Sequence, residues 1–441
     1  MISGKKLAFN TALLTVSSLV MRASALAWQV WLAGRIGAAG IGLFQLVMSV
    51  HFLFVTLSVS GIRFAVTRLI SEELGLGRSG SIGSAMTRAM VYAGFFGFSA
   101  LLILYFLAEP MGFLWVRDAR TVRSLRFLAL SLPATGFSSV FAGYFTAVGR
   151  VWKTAAEQFV EQLARMLLVA AFLFEVPHGN LEGECAAVVA AGTLADNLGA
   201  AALFFLYLHD RRKHGSNRLR GHRLTPRMLS IAFPLALSAY ARSALNTTRQ
   251  LLVPRGLRLS GLSATSALAG YGVINGMAFP ILTFPTCLPS ALAELLVPAL
   301  TEAQMRGEQD FIRRSVKKLL RETFFFSLLF GFFFYFTADS LAWLIYKDLS
   351  AGVFIRQLAP LLPFLYTDIV TDGCLKGLGQ MMRSMTYNIA EAALGLLLVW
   401  ALLPHWALSG YIFVLYVCEI FNFTLSIYRL YKITHNNKGP L

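Results

Sequence analysis

The residues best suited to chemistry in this sequence are arginines that lie inside long apolar segments. Arg22 falls in the middle of the first such segment. Arg242 and Arg249 fall seven residues apart in a later one, so they share a helix face. Because a guanidinium group grips phosphate oxygens through two parallel hydrogen bonds, the three arginines predict a site for an anionic, phosphate-bearing ligand. The alternative is that each pairs with a buried carboxylate, or that Arg249 extends to a polar interface.

A second constellation combines two carboxylates and one ammonium group at a spacing of four residues. Asp368, Asp372 and Lys376 would lie on one face of a helix. Two close carboxylates in a low dielectric hold a proton or a small cation readily, so one interpretation is an ion-coupling site. The other interpretations are an internal salt bridge between Asp372 and Lys376 and a contact with the substrate.

Further charged residues in apolar segments have structural interpretations beside functional ones. Arg63 and Arg68, with Glu72, are predicted to lie at the cytoplasmic interface, and the functional interpretation is that the two arginines gate the inner mouth by pairing across the halves. The remaining carboxylates are predicted either to line a cavity or to make structural contacts. These carboxylates are Glu157, Glu161, Glu294, Glu391 and Glu419.

The composition places these residues in a membrane protein. Hydrophobic residues make up 56% of the 441 and charged residues only 14%, whereas soluble domains carry about 25% charged residues. A bilayer crossing needs about 20 mostly apolar residues, and twelve segments of the chain meet that need. They are 8–33, 41–66, 84–108, 122–148, 154–176, 185–208, 228–251, 265–297, 320–346, 353–379, 384–404 and 408–431.

The chain is an internal duplication. Residues 40–180 align without a gap to residues 270–410, an offset of 230 residues. The matched pairs include Gly42 and Gly272, Arg126 and Arg356, Pro133 and Pro363, Gly149 and Gly379, and Glu161 and Glu391. Two parallel repeats predict twelve transmembrane helices in two six-helix bundles that rock against each other in a V.

One pair of equivalent helices differs in its prolines. Pro280, Pro285 and Pro289 predict a bend, because proline removes a backbone donor and clashes one turn back. The counterparts of these prolines in the first copy are valines, which impose no bend. They are Val50, Val55 and Val59.

The distribution of charge sets the predicted orientation and domain boundaries. The net charge is +17, and the basic residues cluster in the loops of one side, which favours a membrane surface over a nucleic-acid partner. By the positive-inside rule both termini are expected in the cytoplasm. The predicted domains are an N-terminal lobe over 1–208, a basic linker over 209–227 lying on anionic headgroups, and a C-terminal lobe over 228–441.

Two stretches resemble a known transporter family. The first is GIGLFQLVM at 40–48, which continues to GIRFAVTRLISE at 61–72, and the second is GMAFPILTFP at 276–285, followed by LVPALTEA at 296–303. Both resemble the stage V sporulation protein B and polysaccharide-flippase branch of the multidrug/oligosaccharidyl-lipid/polysaccharide exporter superfamily. The resemblance implies export or flipping of lipid-linked sugars.

The more distant lipid II flippases mark where this sequence departs from the superfamily pattern. Arg22 matches the first arginine of their first helix, whereas Trp28 and Gln29 stand where those proteins have Arg-Asp. Asn275 stands where their eighth helix carries an arginine. Asn275 is predicted to contact the substrate at this position. The two departures indicate either that the substrate is not lipid II or that other arginines bind the pyrophosphate.

No enzyme constellation, phosphate-binding loop or metal-ligand spacing is visible in the sequence. We therefore expect a transporter of the bacterial cytoplasmic membrane, monomeric and without a cofactor, and coupling to H⁺ or Na⁺ is one interpretation of its energy source. The expected substrate is a polyprenyl-(pyro)phosphate-linked saccharide. The alternatives are a cation-coupled multidrug antiporter of the same superfamily and a membrane scaffold that does not transport.

Overall fold

The computed structural model describes residues 4–75, 81–177, 179–213 and 224–435, without the side chains of 4–19, 75, 211–213, 294, 295, 298, 299 and 305. The secondary structure in these ranges is helical. The α-helices are α1 (Gly4–Val59), α2 (Ile62–Gly75), α3 (Ile82–Pro110), α4 (Thr121–Ala129), α5 (Leu132–Ala147), α6 (Val151–Glu175), α7 (Leu181–Lys213), α8 (Leu224–Leu259), α9 (Ala264–Gly272), α10 (Phe279–Thr283), α11 (Cys287–Arg306), α12 (Gln309–Tyr346), α13 (Ser350–Leu358), α14 (Leu362–Gly377) and α15 (Met381–His435).

Several of these helices are long and apolar enough to cross a membrane. Within the described residues there are eight such helices, or nine if α4 and α5, bent by 42°, form one span. The 56 residues of α1 and the 55 of α15 are each broken once, at Gly37 and at Ala407. Each broken helix is about 80 Å long, more than twice the hydrocarbon thickness. The protein is therefore an all-α, multi-pass membrane protein, while the count of twelve spans stays a prediction.

The two sequence copies share local features at the offset of 230 residues. Helices α5 and α14 begin and end at equivalent residues, each with a proline in its first turn. The Arg126–Glu109 ion pair at 2.6 Å has its equivalent in Arg356–Asp339 at 2.5 Å. Left-handed residues also recur at equivalent positions. These are Arg117 and Lys347, both with φ of 57°, and Gly149 and Gly379, with φ of 70° and 71°.

Contacts divide the chain into two compact units, which cut across the predicted lobes. One unit contains Met1–Gly42 and Thr248–Leu441, and the other contains Leu43–Thr247. The core of the unit Leu43–Thr247 is built from α2, α3, α5, α7 and the start of α8. It includes the large side chains of Phe141, Phe145 and Tyr207. The core of the first unit joins α11, α12, α14 and the end of α15. The lobe boundaries inferred from the duplication remain a prediction.

Helices α1 and α9 cross with their backbones in contact. A Cβ atom on Gly42 would lie 2.1 Å from the carbonyl oxygen of Leu268, and one on Gly272 would lie 2.2 Å from that of Ala38 and 2.6 Å from the amide nitrogen of Gly42. Gly42 and Gly272 are equivalent in the duplication, so the same small residue from each copy meets its counterpart. Small residues permit this close packing of helices in lipid.

The segment between α9 and α11 is irregular, while the bend predicted from its prolines stays a prediction. A π-helical turn spans Val273–Ala278 and a 3₁₀ turn spans Phe284–Thr286, whereas α1 is regular from Ala38 to Val59 and is followed by two left-handed residues, Ser60 and Gly61. In a regular α-helix the carbonyl of Gly276 would accept from the amide of residue 280, which is a proline; here the side-chain amide of Gln29 donates to that carbonyl at 2.9 Å. Tyrosine hydroxyls donate to two further carbonyls of this segment, those of Met277 and Leu282. Such partners are needed because lipid offers no hydrogen bonds to irregular backbone.

Candidate functional site

Arg22 has a neutral partner. Its Nη1 donates to the hydroxyl of Thr286 at 2.7 Å, and Thr286 lies in the 3₁₀ turn that Pro285 introduces. The irregular segment between α9 and α11 thus positions Thr286, which is the one hydrogen-bond partner of Arg22 among the described residues. A guanidinium has five N–H donors, and the described residues accept from one of them and supply no carboxylate.

Arg242 is exposed on α8 and makes no ion pair or hydrogen bond within the described part of the chain. The adjacent face of α8 is fixed to α1 by three polar contacts that follow the helix period. Tyr240 bonds to Ser60, Ser243 to Thr56 at 3.3 Å, and Thr247 to the carbonyl of Ser49 at 2.9 Å. These contacts fix α8 and leave the side chain of Arg242 outside the helix interface.

Arg249 follows the alternative interpretation, because it pairs with a carboxylate. Its Nη1 lies 2.6 Å from Oε1 of Glu391, and both side chains are largely buried. The space comes from Gly395, where a Cβ atom would lie 2.7 Å from Nη1 of Arg249. This arginine is charge-balanced within its own unit, unlike Arg22 and Arg242.

Asn275 lies in the π-helical turn, and its amide is engaged within the protein. Its Nδ2 donates to the carbonyl of Tyr271 at 3.2 Å, and its Oδ1 accepts from the hydroxyl of Tyr411 at 3.1 Å. The amide of Asn275 therefore joins the irregular segment between α9 and α11 to α15. The substrate contact predicted for Asn275 stays a prediction.

The salt-bridge interpretation describes Asp372 and Lys376. Nζ of Lys376 lies 2.5 Å from Oδ2 of Asp372, and the hydroxyl of Ser384 donates to Oδ1 of the same carboxylate. Lys376 and Ser384, the two partners of Asp372, therefore belong to the same compact unit as Asp372. The carboxylate is balanced, and the spacing of four residues was sufficient to predict its main contact.

Asp368, one turn earlier, has no such cation. It is buried, Asn422 donates to its Oδ2 at 2.8 Å, and its Oδ1 has no hydrogen-bond partner among the described residues. Glu391 and Glu419 lie close enough to interact with it electrostatically. Asn422 was not among the predicted site residues, although it follows Glu419 by three residues on the same helix.

A second group of carboxylates lies in the other unit. Arg165 pairs with Glu161 at 2.5 Å and with Asp196 of α7 at 2.6 Å. Glu157 is buried beside Glu161, and both carboxylates pack against Gly199 of α7. Asp196 was missed from the sequence because it contacts α6 from a different helix, a long-range contact that spacing does not reveal.

The predicted gate residues are only partly paired. Arg68 pairs with Glu72 on the same helix at 3.1 Å, and Arg227 of α8 reaches the other oxygen of Glu72 at 2.6 Å. Arg63 is exposed without an ion pair among the described residues. The side chain of Glu294 lies outside the described residues. In the described ranges no group of three or more His, Cys, Asp or Glu side chains is arranged to hold a metal.

The helical architecture and the charged residues within apolar helices define a polytopic membrane transporter. The sequence matches the family described as polysaccharide biosynthesis protein over residues 7–304, and the chain belongs to that family. The predicted membership of the multidrug/oligosaccharidyl-lipid/polysaccharide exporter superfamily, in its polysaccharide-flippase branch, is thereby confirmed. The protein is a transporter rather than an enzyme.

One curated relative and two solved structures support this assignment. Stage V sporulation protein B of Bacillus subtilis (strain 168) is 24% identical over 409 residues, which cover 91% of this chain and 79% of the relative. An inward-facing multidrug MATE transporter superposes with a TM-score of 0.72 at 14% identity, covering 95% of both chains. The lipid II flippase MurJ in an inward closed conformation superposes with a TM-score of 0.71 at 12% identity, covering 97% of this chain and 90% of that one.

Proposed function

We propose that this protein is a flippase that moves a polyprenyl-(pyro)phosphate-linked saccharide across the bacterial cytoplasmic membrane by alternating access. The family description and the flippase among the structural relatives support a lipid-linked saccharide as the substrate class. The observation that carries the proposal is the pair of arginines, Arg22 and Arg242, that have no carboxylate partner in the described structure. A phosphate-bearing headgroup would supply the negative charge that the described residues do not offer to either arginine.

The physical reason is the cost of an unbalanced charge at membrane depth. Charged side chains inside transmembrane helices face a partner, water or a ligand, because burial in hydrocarbon costs several kcal/mol. Arg249 meets this requirement through Glu391. Arg22 has only the hydroxyl of Thr286, and a phosphate oxygen is the better acceptor because the hydrogen bond is then charge-assisted at both ends.

The direction of transport follows from the orientation proposed for the chain. Basic residues are concentrated in the loops that share a side with the two termini, and the positive-inside rule places that side in the cytoplasm. The headgroup then enters from the cytoplasmic leaflet while the polyprenyl tail stays in lipid. We expect a monomer to suffice, since each arginine belongs to the same chain.

The test is headgroup translocation in proteoliposomes that contain a fluorescent polyprenyl-pyrophosphate saccharide. Arg22→Gln and Arg242→Gln are each expected to lower the rate by about tenfold or more, the worth of one charge-assisted hydrogen bond. Arg356→Gln is the matched control, because Arg356 already pairs with Asp339 at the surface of its unit. Unimpaired flipping by the first two variants would remove the proposed role of these arginines.

We further propose that Asp368 couples transport to an ion, either H⁺ or Na⁺. Its buried carboxylate is held by the neutral amide of Asn422, and Glu419 adds like charge nearby. A cation taken up here offsets that repulsion. Asp368→Asn is expected to abolish the response of flipping to an imposed pH or sodium gradient, whereas Asp339→Asn is expected to retain it. A full response in Asp368→Asn would exclude this residue from coupling.

The same carboxylates favour one alternative function, a cation-coupled antiporter of amphipathic drugs. The two functions differ in the charge of the ligand that stabilises the protein. Undecaprenyl-pyrophosphate sugars are expected to raise the thermal midpoint of the flippase, and ethidium-like cations are expected to leave it unchanged. The opposite pattern would favour the antiporter.

A further inference from the structure

Helix α12 is longer than a bilayer crossing requires. Its 38 residues run from Gln309 to Tyr346. The apolar part from Thr323 to Trp343 is about 31 Å long at the α-helical rise, close to the hydrocarbon thickness of about 30 Å. Trp343 is exposed, as is typical of a residue at the membrane interface. The first fourteen residues, 309–322, therefore extend beyond the hydrocarbon into the headgroup layer.

The buried face of α12 repeats that of its equivalent, α3. Buried residues occur in both helices at the offset of 230 residues. The equivalent pairs are Met86 and Val316, Ala89 and Leu319, Ala93 and Thr323, Leu104 and Phe334, and Ala108 and Ala338. The packing of the helix within its bundle is thus the same in both copies, so differences elsewhere on α12 are not needed for this packing.

The exposed face differs sharply in charge between the two helices. The segment 309–322 of α12 carries five basic and two acidic residues, a net charge of +3. The equivalent stretch of α3 has one basic residue, Arg88, among small and apolar neighbours. The basic residues of α12 are all exposed and, apart from the first, follow a helical stripe. They are Arg313, Arg314, Lys317, Lys318 and Arg321, and are called the basic face of α12 below.

Few of these charges are neutralised within the protein. Lys318 lies 3.9 Å from Glu322, and Arg314 donates to the backbone carbonyl of Asp310. Arg313, Lys317 and Arg321 make no ion pair or hydrogen bond within the part of the chain that the structure describes. Beyond the basic face the helix continues with exposed Phe324 and Phe325. Along α12, the basic side chains are therefore followed by aromatic rings, which is the same order in which the phosphate and the acyl chains of a lipid are met on entering a bilayer.

We propose that the basic face of α12 is a docking surface for the headgroups of anionic phospholipids. The occupant is a bilayer lipid rather than a soluble phosphate, because the stripe ends where the hydrocarbon begins and its aromatic continuation is apolar. Basic residues next to an anionic leaflet are attracted to it individually and add together. This surface is separate from Arg22 and Arg242, so it does not depend on the identity of the transported substrate.

The test uses the purified full-length protein in mixed micelles of phosphatidylcholine with increasing phosphatidylglycerol. Phosphatidylglycerol is expected to raise the thermal midpoint and to remain bound after delipidating washes. The variant Lys317→Gln/Lys318→Gln/Arg321→Gln is expected to lower the apparent affinity for phosphatidylglycerol by about tenfold or more. Lys317→Arg/Lys318→Arg is expected to keep it, since the charge remains, and it also shows that the segment tolerates substitution.

Two controls locate the effect. Arg117→Gln/Arg255→Gln/Lys347→Gln removes the same charge at three other exposed positions and is expected to retain full lipid binding. Inorganic phosphate and glycerol phosphate are expected to give no stabilisation. The proposal is overturned if the α12 glutamine variant binds phosphatidylglycerol as the unmodified protein does, if the triple variant at Arg117, Arg255 and Lys347 loses binding equally, or if soluble phosphate stabilises the protein as the lipid does.

Discussion

The two sequence copies share a buried face, the ends of one helix and an ion pair in α3–α5 and α12–α14, and they differ in the regularity of the helices that precede them. Both three-helix stretches carry an exposed Arg–carboxylate pair at equivalent positions, Arg126–Glu109 and Arg356–Asp339. By contrast, α1 is regular beyond Gly37, whereas the segment from α9 to α11 is interrupted by a π-helical and a 3₁₀ turn. The shared features belong to the scaffold. The differences occur where Arg22 and Asn275 are positioned.

The arginines that balance equivalent glutamates show the same divergence. Glu161 is paired by Arg165 on its own helix, four residues away. In the second copy the equivalent of Arg165 is Gly395, and the arginine comes instead from α8, as Arg249. A charge requirement common to both copies is thus met by a local contact in one and by a helix–helix contact in the other. The second arrangement ties α8 to α15.

The largest effect is expected from breaking that helix–helix contact. Arg249→Met leaves Glu391 without its cation, and removing one partner of a buried ion pair costs about 3–5 kcal/mol of unfolding free energy. The double variant Arg249→Met/Glu391→Leu is expected to recover most of the loss. Reversible unfolding in detergent measures both.

The matched control for this prediction is the pair shared by both copies. Arg356→Met breaks an ion pair whose partners are 44% and 49% exposed, and pairs at such positions contribute about 0.2–1 kcal/mol. Equal losses in Arg249→Met and Arg356→Met would show that the contrast between the copies has no energetic basis.

A smaller but clear effect is expected at the crossing of α1 and α9. Gly42→Ala places a methyl group against the carbonyl of Leu268 and is expected to destabilise the protein by about 1–3 kcal/mol, as overpacking does. Gly192→Ala in α7 has open space and is expected to be neutral or stabilising by about 0.5–1 kcal/mol. A lower thermal midpoint for Gly42→Ala, together with an unchanged or higher midpoint for Gly192→Ala, would support the close contact of α1 with α9. A neutral Gly42→Ala would contradict it.

The smallest effect is expected in the irregular segment between α9 and α11. Gln29→Ala removes the donor to the carbonyl of Gly276 and is expected to cost about 1–2 kcal/mol. In the double variant Gln29→Ala/Pro280→Ala the new amide at position 280 can donate to that carbonyl, so the two changes are expected not to add. Strict additivity in a double-variant cycle would show that Gln29 does not compensate for the proline.

The sequence predicted the features that depend on local spacing and composition. The all-helical membrane fold, the family and the Asp372–Lys376 pair each follow from residues close together in the chain. The contacts of Arg22 with Thr286, Arg249 with Glu391 and Arg165 with Asp196 join different helices. Hydrophobic periodicity gives the face of each helix but neither its neighbour nor its register, so these contacts required the structure.

The same limit explains which site residues were missed. Asn422 and Asp196 have ordinary spacing within their own helices, and they become significant only because Asp368 and Arg165 lie opposite them. Arg249 was predicted to bind phosphate on the same grounds as Arg242, since the two share a helix and a spacing of seven. Only the position of Glu391 separates a balanced arginine from one available to a ligand.

The central claim is that this transporter flips a lipid whose anionic head is held by arginines that have no carboxylate partner among the described residues. The most direct measurement is the rate at which the purified protein, reconstituted in liposomes, exposes a fluorescent undecaprenyl-pyrophosphate saccharide to an external quencher. Protein-dependent flipping that falls about tenfold in Arg22→Gln and Arg242→Gln and persists in Arg356→Gln is the predicted result. Flipping that is absent in the unmodified protein, or equal in all three variants, would contradict the account.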